Sequence, residues 1–442
     1  MAENKKKILN LFYIFIFTHL VLWTVVPSMV NQNLPLDTIE ALAWGSNLDW
    51  GFSKHPPVSA FFPELFFRIF GAQDWAYYLL SQIFVIISFY FIFKLSIELL
   101  NNIKLSFASV LLLEGIYFYN YTTPEFNVNI AQLPFWTLTV YFTWKILNQK
   151  EPNIKDLVLL GIFSAAGFLS KYLFLYLLIS IDLLFFYLIF ISRRKKFQFS
   201  YLISLEVFLI LLVPHFIWLI NNDYITIFYG LARTGATEFQ FVNHILNPLF
   251  FLFKQVGILI PFFILCFLLI KKFKIKVNFN DEKLIFLFFI AIVPLILMIL
   301  TSLITGSKIR TMWMTPFYLF SGLFVIYLFK NQINLKNLKN FLMTFILLFF
   351  LSPFVYTYVS ISKDDKRTDY PGKEIAEKVQ FEWDRNFDDP IGFVIGDEWK
   401  AGNLSYHLKS RPIWEGYLNN NDMLNEAKEY ICIGDICVGT YK

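Results

Sequence analysis

The hydrophobic positions of this chain fall in long uninterrupted runs, not in the alternating patterns of a soluble domain. Runs of about twenty apolar residues are long enough to cross the hydrocarbon core of a bilayer as helices. We predict about eleven such spans, and the pattern excludes a soluble fold. The predicted spans cover residues 8–30, 75–99, 105–120, 128–147, 156–170, 172–192, 200–220, 248–270, 284–304, 312–330 and 340–360.

The pattern changes beyond residue 361, where charged residues become frequent and the long apolar runs end. We therefore predict an α-helical membrane domain at residues 1–361, followed by a small α/β domain at residues 362–442, here called the cap. Within the cap the pattern predicts helices at 372–387, 397–408 and 421–430 and a strand at 391–395.

Two cysteines of the cap, Cys432 and Cys437, flank the dipeptide Gly434-Asp435. A hairpin with that dipeptide as its turn would place the two cysteines directly opposite each other. A disulfide there suits an oxidising compartment, and two reduced cysteines on paired strands are the alternative. The spacing is a poor match to a metal site because no second pair accompanies it.

Composition and charge refine this topology. Only 16% of the 442 residues are charged, against about 25% in ordinary soluble domains. Basic residues cluster between the apolar runs, and such short basic connections stay in the cytoplasm. Lipid-headgroup or nucleic-acid binding is the alternative role, but the net charge of +5 is modest. The clusters are Lys5–Lys7, Arg193–Lys196, Lys271 with Lys272, Lys274 and Lys276, and Lys330 with Lys336 and Lys339.

This rule places the N-terminus in the cytoplasm and keeps the first apolar run as a membrane helix, not as a cleaved signal peptide. Four segments then lie outside the cytoplasm: the first loop at 31–74, the connections at 221–247 and 306–312, and the cap. The chain is thus predicted to be a multi-pass membrane protein whose chemistry lies outside the cytoplasm. No phosphate-binding loop or dinucleotide fingerprint indicates a nucleotide site.

The first loop contains the clearest candidates for chemistry. Asp37 and Glu40 are three residues apart and share one face of a helix, where a carboxylate can act as a general base. The alternative is structural, with Asp37 as an N-cap and Glu40 in the first turn. Lys54 and His55 precede two prolines that fix the backbone, so both can donate hydrogen bonds to an anion. A stiff surface turn with solvated charges is the alternative for this pair.

Further candidates lie near other outer ends of the spans. Lys308 and Arg310 follow one span closely, and Arg233 lies in the 221–247 connection. Arginine binds phosphate oxygens in pairs, although anchoring at the membrane interface is an alternative. The oxygen-bearing group Glu125, Asn127 and Asn129 fits either substrate contacts or metal ligands; it does not establish a divalent metal, and no cofactor is implied. The candidate anion or substrate contacts are Lys54, His55, Arg233, Lys308, Arg310, Lys171, Tyr172, Glu125, Asn127 and Asn129.

Several motifs resemble one family. The stretch Asp37-x-x-Glu40-Ala-Leu-x-Trp44-Gly, followed by Gly51-Phe-Ser-Lys-His-Pro-Pro57, resembles the first periplasmic loop of the dolichyl-phosphate-mannose–protein mannosyltransferases. It is most similar to the bacterial branch that includes the lipid A aminoarabinose transferase. Further stretches agree in order: Pro124-Glu-Phe-Asn-Val-Asn129, Leu169-Ser-Lys-Tyr172, Pro214-His-Phe-Ile-Trp218, Lys308-x-Arg-x-x-Trp313-x-x-Pro316, Ile395-Gly-Asp397 and Leu404-Ser-Tyr406.

This resemblance implies a membrane glycosyltransferase of the GT-C type. Such an enzyme moves a sugar from a polyprenyl-phosphate carrier to an envelope acceptor (lipid A, polysaccharide or protein) on the outer face, with inversion at the anomeric carbon. Asp37 matches the family's catalytic carboxylate, while Lys54, His55 and Arg310 would hold the carrier phosphate. The protein mannosyltransferases have adjacent Asp and Glu, whereas Thr38 follows Asp37 here, which leaves the role of Glu40 open.

Two other functions remain open at the level of sequence. A transporter or flippase of lipid-linked sugar would line its path with intramembrane charges. Such transporters often contain inverted repeats, and the sequence shows no internal repeat. An accessory subunit that binds a lipid carrier without chemistry is the third interpretation. No nucleic-acid partner is expected under any of them.

Overall fold

The fold is known from a computed structural model that describes residues 2–235, 240–275, 277–278, 280–333, 338–418 and 422–442. It is mostly helical. The helices of the membrane part and its connections are α1 Ala2–Val30, α2 Leu36–Gly45, α3 Val58–Phe70, α4 Asp74–Leu100, α5 Ile103–Leu111, α6 Val128–Ala131, α7 Leu133–Leu147, α8 Ile154–Ser170, α9 Leu175–Phe186, α10 Tyr201–Asn221, α11 Ile225–Arg233, α12 Asn243–Ile258, α13 Ile260–Leu269, α14 Glu282–Ala291, α15 Val293–Thr305, α16 Ser321–Phe329 and α17 Leu338–Ser362.

Among the described residues, six helical segments are long and apolar enough to cross a membrane, so the protein is a multi-pass membrane protein. They are Lys5–Val30, Asp74–Leu100, Tyr172–Ile191, Tyr201–Asn221, Glu282–Thr305 and Leu338–Ser362. The number rises to eight if two bent pairs each count as one span. One pair joins α12 and α13 at 54°, and the other joins Thr311–Tyr318 to α16 at 50°.

This number is below the eleven spans predicted from the sequence. Three predicted spans, at 105–120, 128–147 and 156–170, form the shorter helices α5, α7 and α8 of 9, 15 and 17 residues. Helix α7 is buried along nearly its whole length against neighbouring helices. A helix inside a bundle is as apolar as one that faces lipid, so composition alone does not separate the two.

The basic connections meet at one end of the helical bundle. Lys195 Nζ lies 3.5 Å from a Glu282 carboxylate oxygen, the Lys271 amide donates to the Gln332 carbonyl at 3.2 Å, and Lys283 Nζ donates to the Leu99 carbonyl at 3.0 Å. Lys276 and Lys336 of the predicted clusters lie outside the described residues.

The cap is a small α/β unit. It contains α18 Gly372–Asn386, β1 Phe393–Ile395, α19 Lys400–His407, β2 Ile413–Trp414, α20 Asp422–Glu426, β3 Ala427–Ile433 and β4 Ile436–Tyr441. The described strands form one sheet in the order β2-β1-β4-β3, in which β1 pairs parallel to β2 and antiparallel to β4.

One cap prediction was wrong. The helix predicted at 421–430 is limited to α20 among its described residues, and the chain from Ala427 onward is strand β3. The reason is pairing: β3 forms an antiparallel hairpin with β4 around Gly434, whose φ of +63° suits glycine. In this hairpin Cys432 and Cys437 lie opposite each other and are joined by a disulfide.

The cap packs on the first loop, which folds into α2 and α3. Helix α19 lies so close to α2 that a Cβ on Gly402 would meet side-chain carbons of Ile39 and Ala43 at 3.0 and 3.1 Å. Trp44 and Phe52 of the loop share one hydrophobic core with Trp383 and Leu404 of the cap. The loop and the cap therefore form one continuous layer.

Candidate active site

Asp37 lies in the first turn of α2, where the positive end of the helix dipole favours a carboxylate. Pro35 occupies the N-cap position, so the alternative interpretation of Asp37 as an N-cap is wrong. The Asp37 amide donates to Glu125 Oε1 at 3.1 Å, and the Thr38 hydroxyl donates to the Phe126 carbonyl at 3.1 Å. These bonds fix segment 124–127 to α2, while the Asp37 carboxylate makes no hydrogen bond within the described part of the chain.

Asp37 and Glu125 form a pair of carboxyl groups that differ in their electrostatic surroundings. Burial raises the pKa of Asp37, but the charges of Lys171, Lys54 and Arg233 oppose that rise. Burial also raises the pKa of Glu125, and the neighbouring Asp37 charge raises it further. The neighbouring cations thus oppose protonation of Asp37, whereas the Asp37 charge favours protonation of Glu125, whose pKa rises to about 8.

Lys171 directly follows α8 and is buried beside this pair. Its ammonium donates to Asn129 Oδ1 at 2.5 Å and lies 5.5 Å from the centre of the Trp313 ring. Burial lowers the pKa of Lys171 to about 7, although the Asp37 charge acts in the opposite direction. Asn127 caps α6 by accepting hydrogen bonds from the amides of Asn129 and Ile130, so it positions this segment.

Lys54 bridges two carboxylates. Its ammonium lies 2.8 Å from Glu40 Oε1 and 3.2 Å from Glu398 Oε2 of the cap, and the Tyr417 hydroxyl also donates to Glu398 Oε2. Burial lowers the pKa of Lys54, but the hydrogen bonds and charges of Glu40 and Glu398 outweigh it and raise that pKa. Burial raises the pKa of Glu40 despite Lys54. Sequence reasoning missed Glu398 and Tyr417, since no local motif marks either of them.

His55 is neutral at physiological pH. Its pKa falls to about 3 because burial disfavours the charged ring and because Lys171, Lys54 and Arg233 repel a further positive charge. Its ring lies 5.8 Å from the Trp44 ring and 6.2 Å from the Tyr229 ring, measured between centroids. His55 can therefore donate one neutral N–H to a substrate.

Side chains of α10 and α11 donate hydrogen bonds to the backbone of the segment that carries Lys54 and His55. The His215 Nδ1 donates to the Trp50 carbonyl at 2.7 Å, which leaves Nε2 to accept the Tyr172 hydroxyl at 2.6 Å. The Thr226 hydroxyl donates to the Phe52 carbonyl at 2.6 Å. Tyr172 thus contacts the loop through His215 rather than contacting Asp37.

Three further cations lie on neighbouring connections. Arg233 ends α11, with its guanidinium 5.6 Å from the Tyr229 ring, and its charge acts on Asp37. The Lys308 amide donates to the Thr234 carbonyl at 2.9 Å, which brings the 306–312 connection beside α11. The carbonyl of Arg310 accepts from the Trp313 amide at 3.0 Å. Among the described residues, no ion pair involves Arg233, Lys308 or Arg310, and of these three only Arg233 is shown to act on Asp37.

The oxygen donors do not form a metal centre among the described residues. There, no group of three or more His, Cys, Asp or Glu side chains is placed to hold a metal ion. Asn127 and Asn129, which the sequence offered as ligands, are occupied by the helix cap and by Lys171.

A family model matches part of this chain. Residues 54–218 match the family model described as dolichyl-phosphate-mannose-protein mannosyltransferase. The match includes Lys54, His55, Glu125 and Lys171, and Asp37 precedes it. The resemblance predicted from the order of the motifs is therefore confirmed.

Two solved structures of one protein share this fold. ArnT from Cupriavidus metallidurans bound to undecaprenyl phosphate superposes with a TM-score of 0.64 at 10% identity, over 96% of this chain and 97% of that chain. The same protein in the apo state gives a TM-score of 0.61 at 11% identity, over 91% and 85%. The chain thus has the GT-C fold of ArnT, as predicted. No curated protein matches the sequence.

Proposed function

We propose that this protein is an inverting glycosyltransferase that moves a sugar from a polyprenyl-phosphate carrier to an envelope acceptor on the outer face of the membrane. The family match, and a fold shared with a protein solved together with undecaprenyl phosphate, support this class of reaction. The observation that carries the proposal is Asp37, a partly exposed carboxylate on which the charges of Lys54, Lys171 and Arg233 converge from three separate segments.

Asp37 serves as the general base. The acceptor hydroxyl oxygen attacks the anomeric carbon from the face opposite the phosphate, and its proton passes to Asp37. The bond between the anomeric carbon and the phosphate oxygen breaks, its electron pair stays on the phosphate, and the configuration inverts. The charges of Lys171, Lys54 and Arg233 favour the ionised form of Asp37, which is the form that accepts a proton. A positioned base of this kind contributes about 10²- to 10⁴-fold to the rate.

The leaving phosphate gains negative charge as the glycosidic bond breaks, so cations at that oxygen stabilise the transition state more than the ground state. Arg233, Lys308 and Arg310 are the cations that no described acid pairs with, and we assign the phosphate to them. Lys54 already has two carboxylate partners, so we assign it to the surroundings of Asp37 instead.

The topology supports a carrier that reaches the site from within the bilayer and an acceptor that arrives from the envelope side. Helix α4 contacts the cap at its first residue, where Asp74 accepts from Tyr406, and contacts the basic Lys283 at its other end through the Leu99 carbonyl. The basic connections therefore lie opposite the cap, and basic connections favour the cytoplasm. The cap and the site then face the periplasm in the inner membrane. Lipid A, an envelope polysaccharide and a protein are the acceptor classes.

The test is acceptor-dependent release of polyprenyl phosphate by the full-length protein in lipid nanodiscs, with a panel of polyprenyl-phosphate sugars and acceptors of all three classes. Asp37→Asn should lower release by at least about 10²-fold. It should still bind undecaprenyl phosphate as the wild type does. Asp388→Asn, which changes an exposed cap carboxylate, is the matched control and should leave release unchanged. Release that persists in Asp37→Asn, or a wild type that binds the carrier and transfers from no donor, would overturn the proposal and favour transport or carrier binding alone.

A further inference from the structure

The cap contacts Lys54 of the site directly through Glu398. This residue lies between β1 and α19, and only 3% of its surface is exposed. Its Oε2 contacts Lys54, 344 positions away in the sequence, and also accepts the Tyr417 hydroxyl. The cap thus contributes two side chains to a cluster that otherwise belongs to the first loop.

The geometry restricts the ammonium of Lys54. A lysine has three N–H donors, and Glu40 and Glu398 take two of them at 2.8 and 3.2 Å. With carboxylates on two sides, the ammonium has one orientation, and its charge acts on Asp37. With Glu40 alone, the flexible lysine side chain could turn about that single contact.

Burial of Glu398 in this cluster is unfavourable for the stability of the fold. The second carboxylate oxygen of Glu398, Oε1, is buried and has no hydrogen-bond partner in the described part of the chain. A buried carboxylate with an unsatisfied oxygen is unfavourable, so such groups tend to be retained for function rather than for stability. The only ion pair that offsets this cost among the described residues is the one with Lys54.

We propose that Glu398, held by Tyr417, is a positioning residue that fixes the Lys54 ammonium beside Asp37, so that the site is complete only while the cap sits on the first loop. This inference rests on the proposed function for its kinetic consequence. The position of Lys54 does not depend on the proposed function, and it can be measured without any turnover.

The kinetic test compares Glu398→Gln and Tyr417→Phe with a matched pair at another contact of the cap. That pair is Asp74→Asn and Tyr406→Phe. The Tyr406 hydroxyl donates to Asp74 at 2.7 Å, and neither residue contacts Lys54 among the described hydrogen bonds. Loss of positioning should lower kcat of Glu398→Gln by about 10²-fold, with KM for the donor within about twofold. Tyr417→Phe should show a smaller effect of the same kind, and the matched pair should show none.

Lys54→Met tests whether Glu398 acts through Lys54. The double variant Lys54→Met/Glu398→Gln should be no slower than Lys54→Met alone, because both changes remove the same interaction. Effects that multiply in the double variant, or a Glu398→Gln variant with wild-type kcat, would overturn the inference.

A second readout needs no transfer at all. Labelling of Lys54 by an amine-reactive reagent, followed by mass spectrometry across a pH series on the full-length protein, reports the pKa and accessibility of that amine. Loss of the Glu398 charge should increase labelling by about tenfold, equivalent to about one pKa unit. Asp74→Asn should leave it unchanged. Equal labelling in wild type and Glu398→Gln would refute the positioning role, whereas a wild type that transfers no sugar would refute the proposed function and leave this result standing.

Discussion

Arg411 connects the cap to the first loop, and its replacement by methionine should loosen that connection measurably. The guanidinium donates to the Leu42 carbonyl at 2.7 Å and to Glu64 Oε2 at 2.9 Å, and it lies 4.2 Å from the centre of the Phe67 ring. The side chains of Arg411 and Glu64 are 13% and 6% exposed. Arg411→Met keeps most of the length and the apolar contact but removes the charge and the donors.

The free-energy cost of Arg411→Met depends on the ion pair that Glu64 keeps after the change. Removing one partner of a buried ion pair costs about 3–5 kcal/mol, because the other charge stays buried. Glu64 keeps Arg68 at 3.2 Å, whose side chain is 61% exposed, so the lower limit applies. About 3 kcal/mol corresponds to an increase of about 10²-fold in the opening equilibrium of the cap.

The assay is hydrogen exchange of the full-length protein in nanodiscs, read by mass spectrometry. Peptides from α2 and α19 should exchange about 10²-fold faster in Arg411→Met, while peptides from α7 should not change. Glu64→Gln/Arg411→Met should recover part of the protection, since no buried charge is then left without a partner. Unchanged exchange in α19, or a double variant that opens as far as the single one, would refute this account of the interface.

Three further outcomes follow from the site. Because burial and Asp37 raise the pKa of Glu125, that group is neutral at pH 7, and Glu125→Gln should transfer sugar within about threefold of wild type there. As pH rises through the raised pKa, only the wild type gains a second negative charge beside Asp37, so a pH–rate profile should show an alkaline fall that Glu125→Gln lacks. Gly51→Ala would place a Cβ 2.2 Å from a Trp218 ring carbon, which should cost about 1–3 kcal/mol of stability and lower the midpoint of thermal unfolding. A Cβ at Gly230 meets no described atom within 4 Å, so Gly230→Ala should not lower that midpoint. Arg310→Lys keeps the charge but loses paired donation to phosphate, so the Kd for undecaprenyl phosphate should rise about tenfold, and an unchanged Kd would remove Arg310 from the phosphate site.

The positions of the long helices could be predicted because each depends on a local run of apolar residues. The run predicted at 75–99 is helix Asp74–Leu100, and the run at 340–360 is Leu338–Ser362. The number of spans could not be predicted in the same way, because burial in protein and burial in lipid select the same side chains. Helix α7 shows this, since its apolar residues face other helices.

The residues of the candidate site also differ in whether the sequence could predict them. Asp37, Glu125 and Lys171 each stand in a recognisable motif, and the structure brings them together. Glu398 stands in no such motif, and its neighbour Asp397 accepts hydrogen bonds from the Trp399 and Lys400 amides in a local turn. Only the packing of α19 on α2 brings Glu398 to Lys54, and a contact across 344 positions leaves no trace in local pattern.

The division between paired and unpaired cations separates two tasks in the site. Lys54 and Lys171 are held by carboxylates or an amide oxygen, and their charges act on Asp37, so they govern how readily that group accepts a proton. Arg233, Lys308 and Arg310 pair with no described acid, so an anion that binds them displaces water rather than a competing carboxylate. Changes at Lys308 and Arg310 should therefore raise KM for the carrier, and changes at the held lysines should lower kcat. The charge of Arg233 also acts on Asp37, so its replacement should change both parameters. A substitution of Arg310 that lowered kcat with KM unchanged would show that the two tasks are not separate.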